Sequence, residues 1–389
     1  MIHITDKRDC CGCNSCVQRC PKSCIRMRED DEGFLYPEVD ESVCIDCGLC
    51  EKVCPVIHQA RENRPIVVCA AKNKSEEIRY QSSSGGVFTA LANEIIREGG
   101  VVFGAGFDEN WEVKHDCTET VEGLSAFRGS KYVQSRIAGL KRFLRKEYDN
   151  LLTVDFICHG VPSPGVWREY LKEETVRLYD RKNRFLSHPY QKEEVCIEGI
   201  SFRDKCLGWK KFSFTLHVSV ADRHGDKKSF LLSEPLDKNI FMRGFLADLY
   251  LRPSCYACPS KTFKSGSDIT IGDFWGVQHV MPMIDDDKGV SVVMLNAIKG
   301  ETYFRKIGLD SSIVGYEVVL RYNPSIEKSV SLTGKRKLFY SDTKATLDER
   351  IENLCRLTYK QRLRMIFDII LGEKVKNFIK RHCLSKLES

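Results

Sequence analysis

One spacing of cysteines occurs twice within the first sixty residues of this chain. Each run reads C-x2-C-x2-C-x3-C and is followed by a proline. The two runs are Cys10, Cys13, Cys16 and Cys20, and Cys44, Cys47, Cys50 and Cys54. Four thiolates at such short separations suit a compact iron–sulfur cubane, whereas a zinc ribbon uses paired C-x2-C knuckles without the third cysteine. The repeat therefore predicts two 4Fe–4S clusters.

The repeated segment resembles a bacterial two-cluster ferredoxin, in which the fourth cysteine of each run binds the other cluster. The resemblance implies a first cluster held by Cys10, Cys13, Cys16 and Cys54, and a second cluster held by Cys44, Cys47, Cys50 and Cys20. Such an exchange would let a module with little core fold around its metals. Cys11 and Cys24 fall outside the pattern and are interpreted as small buried thiols. We expect the ferredoxin module to occupy residues 1–60.

Length and composition limit what the rest of the chain can be. With 389 residues, 42% of them hydrophobic and 10% aromatic, the chain is long enough for two or three domains and is not disordered as a whole. A net charge of +6 argues only weakly for nucleic acid, which we do not expect as a partner. The opening residues lack the apolar core of a signal peptide, and no apolar run reaches the ~18 residues of a membrane span. We therefore expect a cytoplasmic protein, in which 19 cysteines indicate metal or redox chemistry.

After a boundary near residues 59–64, strand and helix patterns alternate. Strands are predicted at 65–71, 101–107, 151–158, 268–274 and 289–297, and helices at 87–97, 137–148, 163–179 and 235–249. Residues 195–232 alternate polar with apolar residues about a turn at 222–226, and predict β-hairpins. The pattern indicates an α/β fold, α+β overall, with a body at 65–150 and 151–340 and a basic helical tail at 341–389.

Three short segments of the body are candidates for binding a cofactor. The turn at 82–86 opens a helix, and Ser83, Ser84, Gly85 and Gly86 leave N–H groups for an anion or a cofactor's polar edge; a plain helix cap is the alternative. Lys131 and Tyr132 are candidates for contact with an anionic cofactor, the alternative for the lysine being a solvated surface position. Asp273 lies in a Gly-Asp-Phe-Trp-Gly turn that could face a flavin; the alternative is a core aromatic side chain beside a turn glycine, with no ligand.

Three body cysteines are candidate metal ligands. Cys255 and Cys258 form a lone C-x2-C pair, which needs further ligands to complete a site. Cys158, next to His159 at the end of a predicted strand, is one candidate, since ligand sites favour strand carboxyl ends; a buried strand thiol is the alternative. His159 itself is interpreted as structural rather than as a ligand or proton donor. The other six cysteines have no partner spacing and are interpreted as structural: Cys69, Cys117, Cys196, Cys206, Cys355 and Cys383.

Taken together, several body segments resemble the family of coenzyme F420 hydrogenase/dehydrogenase beta subunits, in its bacterial form with a fused ferredoxin module. The matching segments are 82–92, 128–135, 151–164, 200–214, 242–258 and 267–276, in the family's order. The resemblance implies an α/β body that binds a flavin, FAD or FMN, and a third 4Fe–4S cluster with ligands matching Cys158, Cys255 and Cys258. It also implies reduction of the deazaflavin F420 or of other small substrates, and in bacteria a role in polysaccharide biosynthesis.

The chain departs from that family at one place. The fourth ligand of the third cluster would come from a Gly-Thr-Pro-Cys-Gln turn, but here the sequence passes from Ser135 through Arg136 directly to Ile137. The turn is missing together with a preceding helix and strand. Three explanations stay open: the third cluster is lost or uses a substitute such as Cys206, the body is a non-catalytic remnant, or the turn is absent only from the sequence as recorded.

These patterns predict an iron–sulfur flavoprotein oxidoreductase that passes electrons between the clusters and a flavin to reduce or oxidise a small substrate. The alternative is a non-catalytic ferredoxin-type carrier whose degenerate body docks a partner enzyme. Either protein needs a redox partner, a ferredoxin or an oxidoreductase. The tail, with apolar residues at helical spacing in 363–379, is expected to pack on the body or dock a partner; contact with a membrane surface is the less favoured alternative.

Overall fold

The structure is a computed structural model, and it describes residues 1–137, 148–183, 195–221 and 227–356. The helix predicted at 137–148 and the hairpin turn predicted at 222–226 lie almost entirely outside these residues, as does the tail beyond residue 356. Within them the chain mixes helices and sheets, which confirms the predicted α/β class with a small ferredoxin-like module at the start.

The ferredoxin module is built from two short helices and one hairpin. Its elements are α1 (Ser15–Arg19), β1 (Ile25–Glu29), β2 (Leu35–Val39) and α2 (Leu49–Lys52). Strands β1 and β2 are antiparallel, with Ile25 opposite Val39. Both helices begin after a residue in the left-handed region, Asn14 at φ 65° and Gly48 at φ 67°. Each cysteine run therefore turns sharply into a short helix, and α1 and α2 pack against each other.

The body contributes the remaining elements. Its strands are β3 (Val67–Lys72), β4 (Val102–Phe107), β5 (Val113–Thr118), β6 (Val154–Phe156), β7 (Val195–Asp204), β8 (Ser213–Ala221), β9 (Lys227–Pro235), β10 (Ile269–Asp273), β11 (Ser291–Leu295) and β12 (Asp310–Ile313). Its helices are α3 (Glu76–Gln81), α4 (Val87–Arg97), α5 (Pro164–Asn183), α6 (Ile240–Leu246), α7 (Val277–Val280), α8 (Ile298–Lys306), α9 (Tyr316–Tyr322), α10 (Gly334–Ser341) and α11 (Leu347–Cys355).

A five-stranded sheet forms the centre of the body, in the order β12-β3-β11-β10-β6. Its middle strand β11 is buried along its whole length, as expected for an apolar, β-branched run. Only β6 and β10 are parallel; the other neighbours are antiparallel. The carboxyl ends of β6 and β10 therefore lie side by side, which brings Cys158, two residues beyond β6, toward Asp273 at the end of β10.

The predicted hairpins are confirmed, since β7, β8 and β9 form a three-stranded antiparallel sheet. The strand predicted at 101–107 also forms, but it pairs with β5 in a separate hairpin instead of joining the central sheet. A buried aromatic cluster joins these layers, and its members are Trp167, Tyr170, Phe202, Phe214 and Phe241. The helix predicted at 235–249 is shorter, because β9 extends to Pro235 and the Asn239 side chain caps α6.

The hairpin of the ferredoxin module is inserted against the body. Arg336 of α10 pairs with Glu32 in the hairpin turn, and Arg136 and Arg168 both pair with Glu29. The backbone N–H of Gly165 donates to the Glu32 carbonyl at 3.2 Å. The module is therefore held by charged and backbone contacts from distant parts of the chain.

Gly33 is the closest point of this contact, and we expect Gly33→Ala to weaken it. Gly33 has φ +87°, and a Cβ there would lie 2.3 Å from the Gly165 nitrogen. Alanine would add a backbone clash to the ~1–2 kcal/mol cost of a left-handed conformation. Gly99→Ala is the matched control, because Gly99 has φ +77° with nothing within 4 Å of the added carbon. Urea unfolding under anaerobic conditions should show the larger loss for Gly33→Ala; equal losses would contradict the contact.

Candidate functional site

The second-cluster cysteines line one cavity at the surface of the ferredoxin module. Its thiol lining is Cys20, Cys24, Cys44, Cys47 and Cys50. Cys20 belongs to the first run and the last three to the second, so the fold brings the two runs together. Cys47 is exposed, and Ile45 beside it is 57% exposed. This cavity therefore has an open side.

The first-cluster cysteines form a second group of neighbouring thiols. Burial raises the pKa of the Cys16 thiol to about 12, and nearby Cys13, Cys10 and Cys54 add to that rise. Cys54, from the second run, is thus close to cysteines of the first. The exchange of fourth cysteines that the ferredoxin resemblance implies agrees with this arrangement, while ligation by these eight residues stays a prediction.

The spread of the thiols matters for the kind of metal group that fits. Within the described part of the chain, no three histidine, cysteine or acidic side chains are gathered closely enough to hold a single metal ion. A cubane places one thiolate on each of four iron atoms, so its ligands stand farther apart than those of one ion. The four thiols that the ferredoxin resemblance assigns to the second cluster all line the surface cavity, and soft sulfur ligands of that number suit a 4Fe–4S cluster. Cys24 lies with its Sγ 3.4 Å from that of Cys20 and is buried, as predicted.

The three body cysteines lie near one another, on the side of the body that faces Cys10. Cys158 follows β6, and Cys255 lies in a 3-10 turn (Pro253–Ala257). Burial raises the pKa of the Cys255 thiol to about 12, with Cys158 and Cys258 adding to the effect. Cys206 is elsewhere, with its Sγ near the hydroxyls of Ser213 and Ser233 at 3.7 and 3.8 Å. The structure thus brings together three of the ligands that the family resemblance implies, but not the suggested substitute.

Arg252 connects the first-cluster cysteines with the body cysteines. Its side chain donates to the Cys10 carbonyl at 2.8 Å and lies 3.7 Å from Cys10 Sγ. Its own backbone N–H donates to the Val161 carbonyl, and the Val161 N–H donates to Cys255 Sγ at 3.3 Å. The turn that carries Cys255 packs against the 3-10 turn Lys7–Asp9, next to Cys10.

The serine–glycine turn predicted for cofactor binding is held by the protein itself. The Ser130 N–H donates to Ser83 Oγ at 2.7 Å, and Ser84 Oγ donates to the Val290 carbonyl. The Gly85 N–H donates to Ser291 Oγ at 2.9 Å. A Cβ at Gly85 would lie 2.5 Å from the Ala71 carbonyl oxygen, so only glycine fits there. Gly86, at φ 80°, begins α4, whose bounds match the predicted helix.

Lys131 and Tyr132 have different surroundings. The Lys131 ammonium donates to the carbonyls of Ala126, Arg128 and Gly129, and burial lowers its pKa to about 8. The Tyr132 ring packs on Phe245 with centroids 4.9 Å apart. Lys131 is therefore not the solvated lysine of the alternative interpretation.

Arg203 and Trp209 are site residues that the sequence reasoning missed. Arg203 donates to both carboxylate oxygens of Asp273 at 2.6 and 3.1 Å and to the Tyr132 hydroxyl at 3.4 Å. Trp209 Nε1 donates to Asp273 at 3.0 Å. In the described structure Arg203 Nε is buried and has no hydrogen-bond partner. An arginine and a lysine two residues apart at the end of an apolar strand were the available signal.

Lys205 joins this group to the serine–glycine turn. Its ammonium donates to the carbonyls of Arg79 at 2.6 Å, Ser84 at 2.9 Å and Lys288 at 2.8 Å. Arg79 is itself buried and forms two hydrogen bonds with Asp286. The turn at 82–86, Tyr132 and Asp273 therefore meet around three buried cations, Arg79, Arg203 and Lys205, and we refer to this region as the arginine–lysine site.

The arginine–lysine site has a donor set that fits the polar or anionic edge of a flavin. It holds buried cations, hydroxyls, backbone N–H groups and stacked indoles, with Trp209 and Trp275 at 5.1 Å and 5°. Among the described residues, Arg203 Nε is buried and has no hydrogen-bond partner. The predicted polar groups already have protein partners, so a flavin would displace or extend those hydrogen bonds.

The Lys205 ammonium gives the protein a pH-dependent stability. Burial, with Arg203 adding to it, lowers its pKa from 10.5 to about 7 in the folded chain. Between these two values the unfolded state binds more protons, so stability is expected to rise from pH 7 toward pH 10. Below pH 7 the Lys205 amine is charged in both the folded and the unfolded state, and the folded state bears the full free-energy cost of burying that charge.

Comparison of the wild-type chain with Lys205→Met isolates this contribution. The free energy of unfolding of wild type minus that of the variant should increase from pH 6.5 to pH 9.5, measured by anaerobic urea unfolding. Lys299→Met is the control, since Lys299 donates only to the Leu151 carbonyl at an exposed position. A flat difference for Lys205→Met would show that the buried amine keeps an ordinary pKa.

Comparison with known proteins identifies the family. The chain matches both family models of the "Coenzyme F420 hydrogenase/dehydrogenase, beta subunit", the N-terminal model over residues 68–141 and the C-terminal model over residues 133–314. Residues 9–57 match "4Fe-4S dicluster domain". The chain therefore belongs to the family of coenzyme F420 hydrogenase/dehydrogenase beta subunits and carries a 4Fe–4S ferredoxin module, as the sequence predicted.

Individual relatives agree with both parts. The F subunit of the F(420)H(2) dehydrogenase of Methanosarcina mazei is 25% identical over 178 residues, 43% of this chain and 51% of that protein. The "Ferredoxin 7Fe" of Hydrogenibacillus schlegelii is 55% identical over 42 residues, 11% of this chain and 47% of that protein. The chain spans about half the length of these two relatives.

A solved structure is also similar. A chain of the xenon-derivatised F420-reducing NiFe hydrogenase complex from Methanosarcina barkeri covers 80% of this chain, with 95% of its own length aligned, at 14% identity and a TM-score of 0.36. A score at that level carries no conclusion about function. Across the described ranges, no helix is both long enough and apolar enough to cross a lipid bilayer.

Proposed function

We propose that this chain is an iron–sulfur flavoprotein oxidoreductase in which electrons pass between the ferredoxin module and a flavin in the body. The observation that carries the proposal is the order of the thiols. The second-cluster cysteines line a surface cavity, the first-cluster cysteines lie against the body through Arg252, and the body cysteines follow next. Electron carriers arranged in this order connect the protein surface with the arginine–lysine site.

Continuous contacts join the body cysteines to that site. The His159 ring, next to Cys158, meets Phe245 edge-on at 5.2 Å, and Phe245 packs on Tyr132 at 4.9 Å. Tyr132 accepts a hydrogen bond from Arg203, which pairs with Asp273. The separation between metal ligands and candidate flavin site is therefore filled by packed side chains. Asp248 holds His159 in place through a 2.7 Å contact to its Nε2.

A flavin, when bound, supplies the exchange of single electrons for electron pairs that reduction or oxidation of a small substrate requires. The chain's own residues would bind and orient it: Arg203 would provide positive charge, and the serine–glycine turn, held in place by Lys205, would provide N–H and hydroxyl groups. Asp273 fixes the Arg203 side chain, and Trp209 fixes Asp273. FAD and FMN are both compatible with this donor set.

The body cysteines are proposed to hold a third cluster only if a fourth ligand is supplied. Cys158, Cys255 and Cys258 provide three thiols, and the turn that bears the fourth in similar proteins is missing from the sequence. Residues 138–147, directly after the missing turn, lie outside the described structure. A redox partner protein would meet the exposed face at Cys47, and the substrate class suggested by the resemblance is a small molecule of F420-dependent or polysaccharide-biosynthetic metabolism.

The direct test is the iron, sulfide and flavin content of anaerobically purified chain. We expect about eight iron atoms for two clusters, and about twelve if the third cluster forms. When a reduced ferredoxin is added without dithionite and reduces the clusters, the visible absorbance of the bound flavin should fall. Intact iron without any flavin binding, even after incubation with FAD or FMN, would overturn the flavoprotein proposal.

A second candidate function is a ferredoxin-type carrier whose body docks a partner enzyme. It is favoured by one observation, that the polar groups of the serine–glycine turn and the Lys131 ammonium already have protein partners. For this candidate the clusters would cycle while added flavin stays oxidised. A mixture of reconstituted chain, FAD and reduced ferredoxin, followed by absorbance, distinguishes the two.

A further inference from the structure

Arg252 is a buried cation for which the described residues provide no carboxylate. Its exposed fraction is 1%. Its hydrogen bonds go to the carbonyls of Cys10 and Leu35, the Gln134 amide oxygen and Cys10 Sγ. Burying an uncompensated guanidinium costs several kcal/mol, so a buried arginine normally has an anionic partner.

The aromatic surroundings do not replace that partner. The guanidinium lies 4.5 Å from the Tyr36 ring centroid and 5.3 Å from that of Phe34. Such cation–π contacts contribute up to ~2 kcal/mol, less than the cost of burying the charge. They do fix the plane of the guanidinium and keep water away from it.

The protein is shaped to bring this cation to Cys10. A Cβ at Gly12, which has φ +71°, would lie 2.8 Å from Arg252 Nη1. A larger residue there would adopt a strained left-handed conformation and would push the guanidinium away. The thiol that the guanidinium reaches is Cys10 Sγ at 3.7 Å, and Cys10 belongs to the first cluster of the proposed function. A 4Fe–4S cluster with four thiolates is an anion, and it supplies the negative charge that the described residues lack.

We propose that Arg252 is the counter-ion of the first cluster and holds its reduction potential above that of the second cluster. Positive charge and hydrogen bonds to cluster sulfur stabilise the reduced state, which carries one more negative charge. Among the described residues that line the second-cluster cavity, Lys22 is exposed and the Met1 ammonium already pairs with Asp46 and Glu51, so neither is a buried cation without a carboxylate. Cys47 also opens this cavity to water. The inference rests on the proposed function, because it requires both clusters.

The consequence is a preferred position for the electron. In the step concerned, one electron leaves the second cluster, which is oxidised, and enters the first, which is reduced, with no bond or proton transferred. An electron donated at the exposed second cluster therefore accumulates on the first cluster, next to the body cysteines. Arg252 acts as a positioning and tuning residue and makes no contact with substrate.

An anaerobic redox titration of the full chain, followed by electron paramagnetic resonance, tests this. In Arg252→Met, the higher of the two wild-type midpoint potentials should fall, while the lower one is unchanged. We expect at least a tenfold change in the equilibrium between the clusters, which for one electron corresponds to about 59 mV. Arg252→Lys keeps the charge and should recover part of the shift.

Arg336→Met is the matched control, because Arg336 also fastens the module to the body but pairs with Glu32 rather than with a cysteine. It should leave both potentials unchanged. Unchanged potentials in Arg252→Met, equal shifts of both, or a shift of the lower one alone would overturn the proposal. Wild-type chain without two clusters would instead overturn the proposed function.

If a variant loses a cluster and its potential cannot be measured, the iron content of the two Arg252 variants still tests the proposal. Loss of about four iron atoms from Arg252→Met, with about eight retained in Arg252→Lys, supports the counter-ion role. The same loss from both variants would assign Arg252 a packing role only and would overturn the proposal.

Discussion

Cys10→Ala and Cys54→Ala are expected to lose the same cluster. The two residues come from different runs, yet Cys54 and Cys10 both lie near Cys16. Each variant should lose iron from the first cluster and keep the iron of the second, because each removes one of the four thiolates that the ferredoxin resemblance implies for the first cluster. The two should also lose the same electron paramagnetic resonance signal and share one remaining midpoint potential. Because the exchanged ligands fasten the two halves, both variants should unfold at lower temperature than wild type.

The control for this experiment is Cys11→Ala. Cys11 is adjacent to Cys10 in the chain but outside the repeated spacing, so about eight iron atoms should remain. If Cys10→Ala and Cys54→Ala removed different signals, each run would hold its own cluster and the exchange would be wrong. A double variant, Cys10→Ala with Cys54→Ala, should lose no more iron than either single change.

Asp273→Asn is expected to destabilise the body by about 3–5 kcal/mol, the cost of breaking a buried ion pair by removing one partner. The side chains of Arg203 and Asp273 are 5% and 16% exposed, so the guanidinium would be left charged and buried. Asparagine keeps one acceptor oxygen in place of two, so Arg203 and Trp209 would compete for it. Tryptophan fluorescence during anaerobic urea unfolding measures the change, since Trp209 stacks on Trp275 in the same site.

Glu301→Gln is the control for charge removal from a helix ion pair whose cation is exposed. Its partner Arg305 is 76% exposed, and pairs of that kind contribute less than about 1 kcal/mol. Combining Asp273→Asn with Arg203→Met should recover part of the loss, because the unpaired charge is then removed as well. A loss below about 1 kcal/mol in Asp273→Asn would show that water reaches the guanidinium and that the pair is not buried in solution.

The features that can be predicted from the sequence are those that depend on the spacing of residues close together in the chain. The cysteine runs and the bounds of α4 depend on residues a few positions apart, and so does the helix start at Ser163–Pro164, where Ser163 Oγ accepts from the Val166 N–H. The strand at 101–107 shows the limit of such reasoning. An apolar run looks the same whether it joins the central sheet or a separate hairpin, and β5, its partner, was not predicted.

The missed site residues depend on contacts between distant positions. Arg203 meets Asp273 seventy residues later, and Arg252 meets Cys10 across 242 residues. A single sequence does not show which carboxylate or thiol a given arginine will face. The serine–glycine turn was predicted because hydroxyls and glycines before a helix form a local sequence pattern. The cations that hold this turn come from distant positions and form no such pattern.

The contact between Glu32 and Arg336 also sets an order of events during synthesis. The two residues are 304 positions apart, so the hairpin turn leaves the ribosome long before the helix that fastens it. At about 5–20 residues per second, this interval is about 15–60 seconds. Throughout that time the contact between Glu32 and Arg336 cannot form, and the module is not yet fastened to α10. Completion of α10 then fastens the hairpin turn to the body, while the exposed Cys47 keeps the second-cluster cavity open to solvent.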